Sequence, residues 1–378
     1  MKKNLVIVNH LFLPAHIYSY KFFFFKKKFF IYFVDLAFIN YPHYKNYSNY
    51  FNKKFGSKYY CIQKLSDWNS LKKKFNSRNT IFWRIFSPFN FVSFKISLDI
   101  SKFKSFKTYD DGYVIDIKKK NLITLKNFFK PVYIKLIINF FRVFVWNKKI
   151  FLFKILEKFF LKKKYFFFRV NHWDYNNYII WKKKKIFLKK KKNYCIFIEN
   201  TSPFFEGDYA LLKYKRYDAK KNYYYSINNF FDQIEKKLNI KVLILPHPKS
   251  RHSRKLKYYK NRNIIKYNKM EVLNNCKFIM HRGSTAFAYS CIFNKPSIIL
   301  ITQDILDKND IEQISYLKAF SRETGEKIIN ISHKIEKKTF LQNFKINKRK
   351  YREYKKKLVF FKNKTNDSLI LDYINKQL

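Results

Sequence analysis

Three short polar clusters contain the residue types that could carry out chemistry. They are Asp110-Asp111-Gly112, His247-Pro248 and His281-Arg282-Gly283-Ser284-Thr285, and each directly follows a short apolar run. A carboxylate can deprotonate a hydroxyl group, and a histidine can bind a phosphate oxygen or protonate a leaving group. A turn rich in glycine and hydroxyl side chains can hold a phosphate. The histidine cluster and the glycine- and hydroxyl-rich cluster therefore favour a phosphorylated ligand.

The acidic pair Asp110-Asp111 is the only one of these clusters that could activate an acceptor. Its neighbour Gly112 is one of only five glycines in the chain, which predicts a tight turn presenting a carboxylate. A general base there needs a pKa raised towards the working pH by its surroundings. The alternative is ordinary turn chemistry, in which Asp and Gly serve the backbone. A divalent metal on the paired acids is a further alternative, but Asp116 is the one further acid nearby, so we predict no metal site.

His247 lies between two prolines, Pro246 and Pro248, which stiffen the loop that would present it. Lys249 follows at once, and further basic residues continue the loop. This pattern favours an anion such as a phosphate. The alternative is a histidine that caps a surface loop without a ligand.

The third cluster predicts a helix start that could bind a phosphate. Gly283 allows close approach of the backbone, and Ser284 or Thr285 could cap a helix predicted over Thr285–Phe293. His281 and Arg282 add side chains that favour an anion. A simple N-cap without ligand is the alternative, but a second anion-friendly cluster at His247 makes a nucleotide or sugar-phosphate cleft the better interpretation.

The elements that position these clusters are short buried strands that alternate with helical segments. Such alternation predicts an α/β fold with parallel sheets, whose ligands bind at the carboxyl ends of the strands. In the first half, Asn9 and His10 occupy such an end. The predicted strands there are Leu5–Val8, Phe30–Phe33, Tyr59–Ile62, Thr80–Trp83 and Phe106–Tyr109.

The second half forms a β-α-β-α-β series of Rossmann type without a GxGxxG sequence. Glu199 and Asn200 follow its first strand, so topology places them within reach of a bound nucleotide. A helix is predicted over Tyr223–Leu238 and another over Lys269–Asn275. The predicted strands are Cys195–Ile198, Lys241–Leu245, Ile264–Tyr267, Phe278–Met280 and Ser297–Ile301.

We therefore predict three parts along the chain. Residues 1–190 form an acceptor-side Rossmann-like domain that includes a basic amphipathic helical segment at 122–168. Residues 191–345 form a nucleotide-sugar-binding Rossmann-like domain, which begins after the lysine-rich run at 182–193. Residues 346–378 form C-terminal helices.

The composition is strongly basic and aromatic. The 378 residues include 81 Lys+Arg against 25 Asp+Glu, a formal net charge of +56 with histidine neutral, and 45 Phe. Such a surface attracts anions, including phosphorylated donors, acidic glycans and lipid head groups. None of the four cysteines forms a CxxC pair, so we expect reduced buried thiols. The sequence predicts neither a cleaved signal peptide nor a transmembrane helix.

In chain order, the acid-acid-Gly triplet Asp110-Asp111-Gly112, the pair His247-Pro248 and the pair Ser284-Thr285 resemble the three short motifs of bacterial sialyltransferases. These motifs are shared by lipooligosaccharide sialyltransferases and polysialyltransferases. The His-Pro pair is also similar to that of the Kdo transferases, which use a CMP-activated donor. The resemblance covers about a hundred residues, 195–301, and in the first half only the triplet.

The resemblance implies a GT-B fold, in which two Rossmann-like domains face a cleft, and an inverting transfer that needs no metal. Asp111 or Asp110 would be the general base. His247 would contact the CMP phosphate or act as an acid on it, and Ser284 and Thr285 would bind that phosphate. Around them we expect donor contacts from Pro248, Lys249, His281, Arg282, Gly283, Glu199 and Asn200. Arg282-Gly283 ahead of Ser284 departs from the family pattern.

The leading hypothesis is a cytoplasmic glycosyltransferase that moves a sialic-acid-like (nonulosonic) or Kdo-like sugar from CMP to a bacterial surface glycan, lipooligosaccharide or capsule. The CMP-sugar would be a co-substrate, with no other cofactor. The basic segment at 122–168 is also compatible with a surface resting on the anionic inner membrane. An alternative keeps the GT-B fold with a UDP-, GDP- or CDP-linked donor. A nucleic-acid-binding protein is not expected, because the aromatic residues lie mostly in apolar runs.

Overall fold

The computed structural model describes the chain in separate stretches. They are residues 2–12, 14–39, 47–56, 58–86, 88, 90–109, 166–184, 193–200, 220–247, 256–265, 269–307, 311–334, 336, 340 and 345–377. The fold is α/β and contains two parallel sheets, so the predicted fold class is confirmed. The chain divides into two compact units. The first contains the described residues up to 109, residues 166–170 and residues 367–377, and the second contains the described residues from 171 to 366.

The first unit is built on a six-stranded sheet in the order β3-β2-β1-β4-β5-β6. Every pairing in it is parallel, with Leu5 opposite Ile31 on one side and Ile81 on the other. This is the strand order of a doubly wound dinucleotide-binding sheet. The strands are β1 (Lys3–Asn9), β2 (Phe29–Asp35), β3 (Tyr59–Cys61), β4 (Thr80–Arg84), β5 (Lys104–Tyr109) and β6 (Phe166–Arg169).

Helices cover both faces of this sheet, which explains why Leu5–Val8 in β1 and Ile81–Trp83 in β4 are continuously apolar instead of alternating. On one face, the ring of Phe33 lies 4.9 Å from that of Phe51 and 5.0 Å from that of Phe55. Each such aromatic pair contributes about 0.5–1.5 kcal/mol beyond its buried area. The helices are α1 (Pro14–Ser19), α2 (Phe22–Lys26), α3 (Ser48–Phe55), α4 (Leu65–Lys72) and α5 (Phe91–Ile100).

The second unit is built on a five-stranded parallel sheet in the order β11-β10-β9-β7-β8. Residue Ile196 of the central region pairs with Leu243 on one side and Ile279 on the other. The strands are β7 (Tyr194–Ile198), β8 (Lys241–Leu245), β9 (Ile279–His281), β10 (Ser297–Ile301) and β11 (Lys327–Asn330).

Helices also lie against this second sheet, and its core forms two apolar clusters. The predicted helix over Tyr223–Leu238 is confirmed and begins three residues earlier. The helices of this unit are α6 (Trp173–Lys183), α7 (Lys220–Leu238), α8 (Lys269–Asn275), α9 (Ala288–Phe293), α10 (Gln303–Asp307), α11 (Ile311–Thr324) and α12 (Lys348–Leu358). The last helix of the chain, α13 (Asn366–Gln377), belongs to the first unit from its second residue onwards.

A buried asparagine organises the start of the second unit, just after β6. The Asn171 side chain accepts hydrogen bonds from the backbone N–H groups of Phe360 (2.8 Å) and Phe361 (2.7 Å). It donates two more to the carbonyl oxygens of Phe361 and Lys364, both at 3.0 Å. Its backbone exchanges hydrogen bonds with the Asn366 side chain at 3.0 and 2.8 Å. One side chain therefore uses all its hydrogen-bonding capacity to fix the segment that follows α12.

The structure places several boundaries differently from the sequence. The division between the units lies at 170/171 instead of 190/191, and most of α13 packs with the first unit, where Tyr373 stacks on Phe168 at 5.0 Å. Phe166–Arg169, at the end of the predicted helical segment, is a strand because it pairs with β5. Of the predicted strand Ile264–Tyr267, the structure describes residues 264 and 265, and Ile264 forms an isolated bridge with Ile244. The rest of the 122–168 segment lies outside the described residues.

In the part of the chain that the structure describes, none of the helices has both the length and the apolar character needed to cross a membrane. The arrangement of the two predicted domains across a cleft stays a prediction.

Candidate functional site

Three polar segments meet at one edge of the second sheet. Glu199 and Asn200 directly follow β7, and Pro246 and His247 directly follow β8. Strand β9 ends at His281 and is followed by the turn 282–284. The sheet order β9-β7-β8 makes these three strands neighbours, and their parallel pairing brings all three carboxyl ends to the same edge. Parallel α/β sheets bind ligands at this edge. The structure thus brings together most of the residues predicted to contact the donor.

Glu199 links the end of β7 to the end of β8. Its side chain is only 1% exposed, and its Oε2 accepts a hydrogen bond from the backbone N–H of His247 at 3.1 Å. Its Oε1 accepts from the Tyr259 hydroxyl at 3.0 Å. Burial, reinforced by the negative charge of Glu199 and by neighbouring tyrosines, holds the pKa of Tyr259 well above its usual range. The hydroxyl therefore stays protonated as a donor, and Glu199 fixes the backbone that presents His247.

Asn200 links the end of β7 to the turn after β9. Its side-chain amide donates a hydrogen bond to the carbonyl oxygen of Arg282 at 3.1 Å. The Arg282 side chain is buried, with its guanidinium 4.6 Å above the ring of Tyr223 on α7. A cation over an aromatic face is stabilised by the ring quadrupole. Arg282 therefore adds positive charge beneath this edge while packing against protein.

His281 is fully buried, and both of its ring nitrogens contact protein. Its Nδ1 accepts a hydrogen bond from the backbone N–H of Gly283 at 3.1 Å, and its Nε2 lies 3.0 Å from the Glu326 carboxylate. The rings of Phe287 and Phe320 lie 5.4 and 5.3 Å from the imidazole. His281 was predicted to contact the phosphate, but both of its ring nitrogens are engaged by protein groups and its side chain is fully buried.

Gly283 has a backbone conformation that only glycine adopts easily, with φ at +72°. A Cβ at this position would lie 2.6 Å from Cε1 of Tyr316 and 2.9 Å from Cδ2 of Leu317. The Tyr316 hydroxyl also donates to the Gly283 carbonyl oxygen at 3.0 Å, so this ring cannot move away freely. Both the turn and its close packing require a glycine.

The substitution Gly283→Ala is expected to destabilise the second unit by about 2–4 kcal/mol, because left-handed strain and overpacking add. Urea unfolding of the variant and the wild type measures the loss. If Gly283→Ala unfolds like the wild type, neither the conformation of the turn nor the contact with Tyr316 and Leu317 requires a glycine.

Ser284 caps the helical segment that follows the turn. Its backbone is extended and its Oγ accepts a weak hydrogen bond from the N–H of Ala286 at 3.4 Å. The segment starts as a 3-10 turn over Thr285–Phe287 and becomes α-helical only from Ala288, which differs from the α-helix predicted over the whole range. Ser284 is largely buried and Thr285 is exposed.

Four predicted site residues lie outside the described part of the chain. They are Pro248 and Lys249 after His247, and the acidic pair Asp110 and Asp111. Among the residues that are described, no group of three or more His, Cys, Asp or Glu side chains could hold a metal ion.

The first sheet has a polar edge of its own, and sequence reasoning missed its buried acid. Asp35 ends β2, next to the end of β1, where Asn9 donates to the carbonyl oxygen of Leu11 at 2.9 Å. The Asp35 carboxylate is fully buried and accepts hydrogen bonds from the Tyr59 hydroxyl and from the N–H of Ala37. Burial outweighs these bonds and raises the pKa of Asp35 to about 6.

Asp35 is expected to make the protein less stable as pH rises. Below pH 3.8 the Asp35 carboxyl is protonated in both the folded and the unfolded protein. Between about pH 4 and 6 only the folded protein keeps the proton, so the free energy of unfolding falls as pH rises through this range. Above it, this contribution no longer changes with pH. Asp35→Asn should therefore stabilise the protein by about 1–3 kcal/mol at pH 7 and by almost nothing at pH 3.5. Urea unfolding at four pH values measures the difference.

Asp99 in the same unit provides a matched control with the opposite sign. Although burial opposes it, hydrogen bonds from Lys72 (2.8 Å) and Trp68 (3.0 Å) lower the pKa of Asp99. Asp99→Asn should accordingly destabilise the protein at pH 7 and lose this effect as the pH falls below the usual carboxyl pKa. A pH-independent difference for Asp35→Asn would contradict the assignment of its cost to the buried charge.

Comparisons with known proteins give only remote likenesses. No family model and no curated protein matches the chain. Among solved structures, the chain is similar to UDP-GlcNAc 2-epimerase from Methanocaldococcus jannaschii, with 10% identity, a TM-score of 0.42 and coverage of 99% of this chain and 100% of that one.

It is similar to UDP-N-acetylglucosamine 2-epimerase from Rickettsia bellii, with 13% identity, a TM-score of 0.43 and coverage of 100% and 98%. It is also similar to the H444N variant of the wall teichoic acid polymerase TagF, with 10% identity, a TM-score of 0.45 and coverage of 100% and 89%. Because these TM-scores are below 0.5, the description of the fold depends only on the strand order and pairing given above.

Proposed function

We propose that the protein is a glycosyltransferase that transfers a sialic-acid-like or Kdo-like sugar from a CMP-activated donor to a surface glycan. The observation that supports this most is the convergence of the residues after β7, β8 and β9 at one sheet edge. Hydrogen bonds from the backbone N–H of His247 to Glu199 and from the Asn200 side chain to the carbonyl oxygen of Arg282 hold these segments together. A parallel sheet with polar residues at its carboxyl edge is a common design for nucleotide binding.

The chemistry of the leaving group fits this edge. When the sugar departs, the CMP phosphate gains negative charge, and groups fixed in advance around it lower the barrier. His247 stands on a backbone held by Glu199, with basic residues following it in the sequence. Ser284 and Thr285 lie at the start of the neighbouring helical segment. We assign the phosphate to these three residues, with the lysine- and arginine-rich surface supplying a favourable field.

The acceptor hydroxyl needs a base, and both carboxylate oxygens of Glu199 already accept hydrogen bonds, from His247 and Tyr259. We assign this role to Asp111 or Asp110, as the resemblance to the sialyltransferase motifs implies. In this proposal the two units form a GT-B enzyme, transfer inverts the anomeric centre, and the protein groups replace a metal ion. The CMP-sugar is a co-substrate and no further cofactor takes part.

The acceptor in this proposal is a bacterial glycan or glycolipid, such as lipooligosaccharide or capsule. The enzyme would then work on the cytoplasmic side, in peripheral contact with the anionic inner membrane. The net charge of +56 supports such contact, because each basic residue near an anionic lipid surface contributes about 1 kcal/mol.

Thermal unfolding in the presence of CMP, UDP, GDP and CDP tests the choice of donor. A nucleotide at about 100 times its Kd stabilises the folded protein by about 2.7 kcal/mol. We expect CMP to give the largest rise in Tm and His247→Ala to reduce that rise. A rise with UDP, GDP or CDP and none with CMP would favour the second candidate, a transferase of the same fold with a different donor.

A further inference from the structure

We infer that Glu326, acting through His281, is a positioning residue for the turn that receives the donor phosphate. The inference deepens the proposed function and rests on it. Glu326 comes directly before β11 and is almost completely buried. The two residues are 45 positions apart in the sequence, and the side chains meet beneath the turn 281–284.

The hydrogen bonds around the imidazole determine which nitrogen carries its proton. The N–H of Gly283 donates to Nδ1 at 3.1 Å, so Nδ1 must present a lone pair. Nε2 therefore carries the proton and donates a hydrogen bond to Oε2 of Glu326 at 3.0 Å. A carboxylate that accepts a hydrogen bond from one ring nitrogen commonly fixes the tautomer of the imidazole and leaves the other nitrogen unprotonated. His281 is thereby held as a hydrogen-bond acceptor for the Gly283 backbone.

Glu326 is itself held in place by groups from other elements. The Tyr351 hydroxyl, on α12, lies 3.2 Å from Oε1 and 3.2 Å from the carbonyl oxygen of Lys295. The Thr324 hydroxyl, which donates to the carbonyl oxygen of Phe320 at 2.8 Å, lies 3.4 Å from Oε2. The Tyr351 hydroxyl also lies 2.8 Å from that of Ser297, at the start of β10. These contacts from two neighbouring elements fix the orientation of the buried carboxylate, and the carboxylate in turn orients the imidazole.

The result is a turn that is fixed at successive backbone atoms. Asn200 holds the carbonyl oxygen of Arg282, His281 holds the N–H of Gly283, and Tyr316 holds the carbonyl oxygen of Gly283. The next residue is Ser284, which we assign to the phosphate. A displacement of about 1 Å of such a group can cost about a hundredfold in function. His281 and Glu326 thus act on the ligand only through the backbone.

The test compares Glu326→Ala, which removes the acceptor, with Glu326→Gln, which keeps one. For Glu326→Ala we expect the Kd for CMP and the KM for the CMP-sugar to rise by about 10–100-fold, with kcat at saturating donor little changed. Glu326→Gln should recover most of the affinity. Tyr351→Phe removes one contact of Glu326 and should give a smaller rise. It also serves as the second variant if Glu326→Ala fails to fold.

Glu323→Ala is the matched control, because Glu323 lies near the end of α11, where it pairs with Lys357 at 3.2 Å. It should leave CMP affinity unchanged. If a folded Glu326→Ala variant binds CMP with wild-type affinity, the inference is overturned. It is also overturned if Glu323→Ala weakens CMP binding as much as Glu326→Ala does.

A second readout does not depend on the nucleotide. In the NMR spectrum of protein labelled with ¹⁵N-histidine, the signals of one imidazole should show a protonated Nε2 and an unprotonated Nδ1. These signals should be absent from His281→Asn and shifted in Glu326→Ala. A protonated Nδ1 at His281 overturns the inference. If the wild type has this tautomer but does not bind CMP, the proposed donor fails while the contact between Glu326 and the turn stands.

Discussion

Replacing Asn171 by aspartate is expected to destabilise the second unit by about 3–5 kcal/mol, the largest stability loss we predict for a single substitution. The change keeps the shape of the side chain but replaces its amide group by a second oxygen. That oxygen would face the carbonyl oxygens of Phe361 and Lys364, which now accept hydrogen bonds at 3.0 Å. A buried, unpaired negative charge would result.

Thermal and urea unfolding measure this loss. The control is Asn222→Asp, the same chemical change at an exposed position of α7, which should alter stability by less than about 0.5 kcal/mol. If Asn171→Asp unfolds like the wild type, the segment after α12 does not depend on the hydrogen bonds of Asn171.

Replacing the general base is expected to give the largest loss of activity. One of Asp110→Asn and Asp111→Asn should lower kcat/KM for sugar transfer by about 10²–10⁴-fold, the usual contribution of general base catalysis. The other should have a much smaller effect, which would resolve the open choice within the pair. CMP binding should persist in both variants, because neither residue belongs to the donor side.

Asp116→Asn is the matched control for these two variants, as the nearest other acid in the sequence. It should leave the rate within about threefold of the wild type. If Asp110→Asn, Asp111→Asn and their combination all transfer sugar at the wild-type rate, the acid-acid-Gly triplet is not the source of the base.

Much of the fold could be predicted from short apolar runs, because strands buried on both faces have no alternating polar positions. Leu5–Val8 and Ser297–Ile301 are of this kind, and both are strands in the structure. Phe166–Arg169 was missed because aromatic residues among lysines also fit an amphipathic helix. Only its pairing with β5 identifies it as a strand. Lys327–Asn330 was missed because the strand is short and its lysine is exposed.

The positions of the polar segments could be predicted, but the direction of each side chain could not. A polar residue at the end of a strand can face a ligand or bind its own protein, and the sequence is the same in both cases. Glu199 and His281 bind protein groups that are distant in sequence, at Tyr259 and Glu326. Glu326 carries no local signal, because a glutamate between glycine and lysine is typical of an exposed loop.

The most direct test of the proposed function is the release of CMP from a CMP-activated nonulosonic or Kdo-like sugar in the presence of a bacterial glycan acceptor. We expect the wild type to release CMP as the sugar is transferred, and His247→Ala to release it at least about a hundredfold more slowly. Nucleotide release from a UDP-, GDP- or CDP-sugar without release of CMP would contradict the proposal.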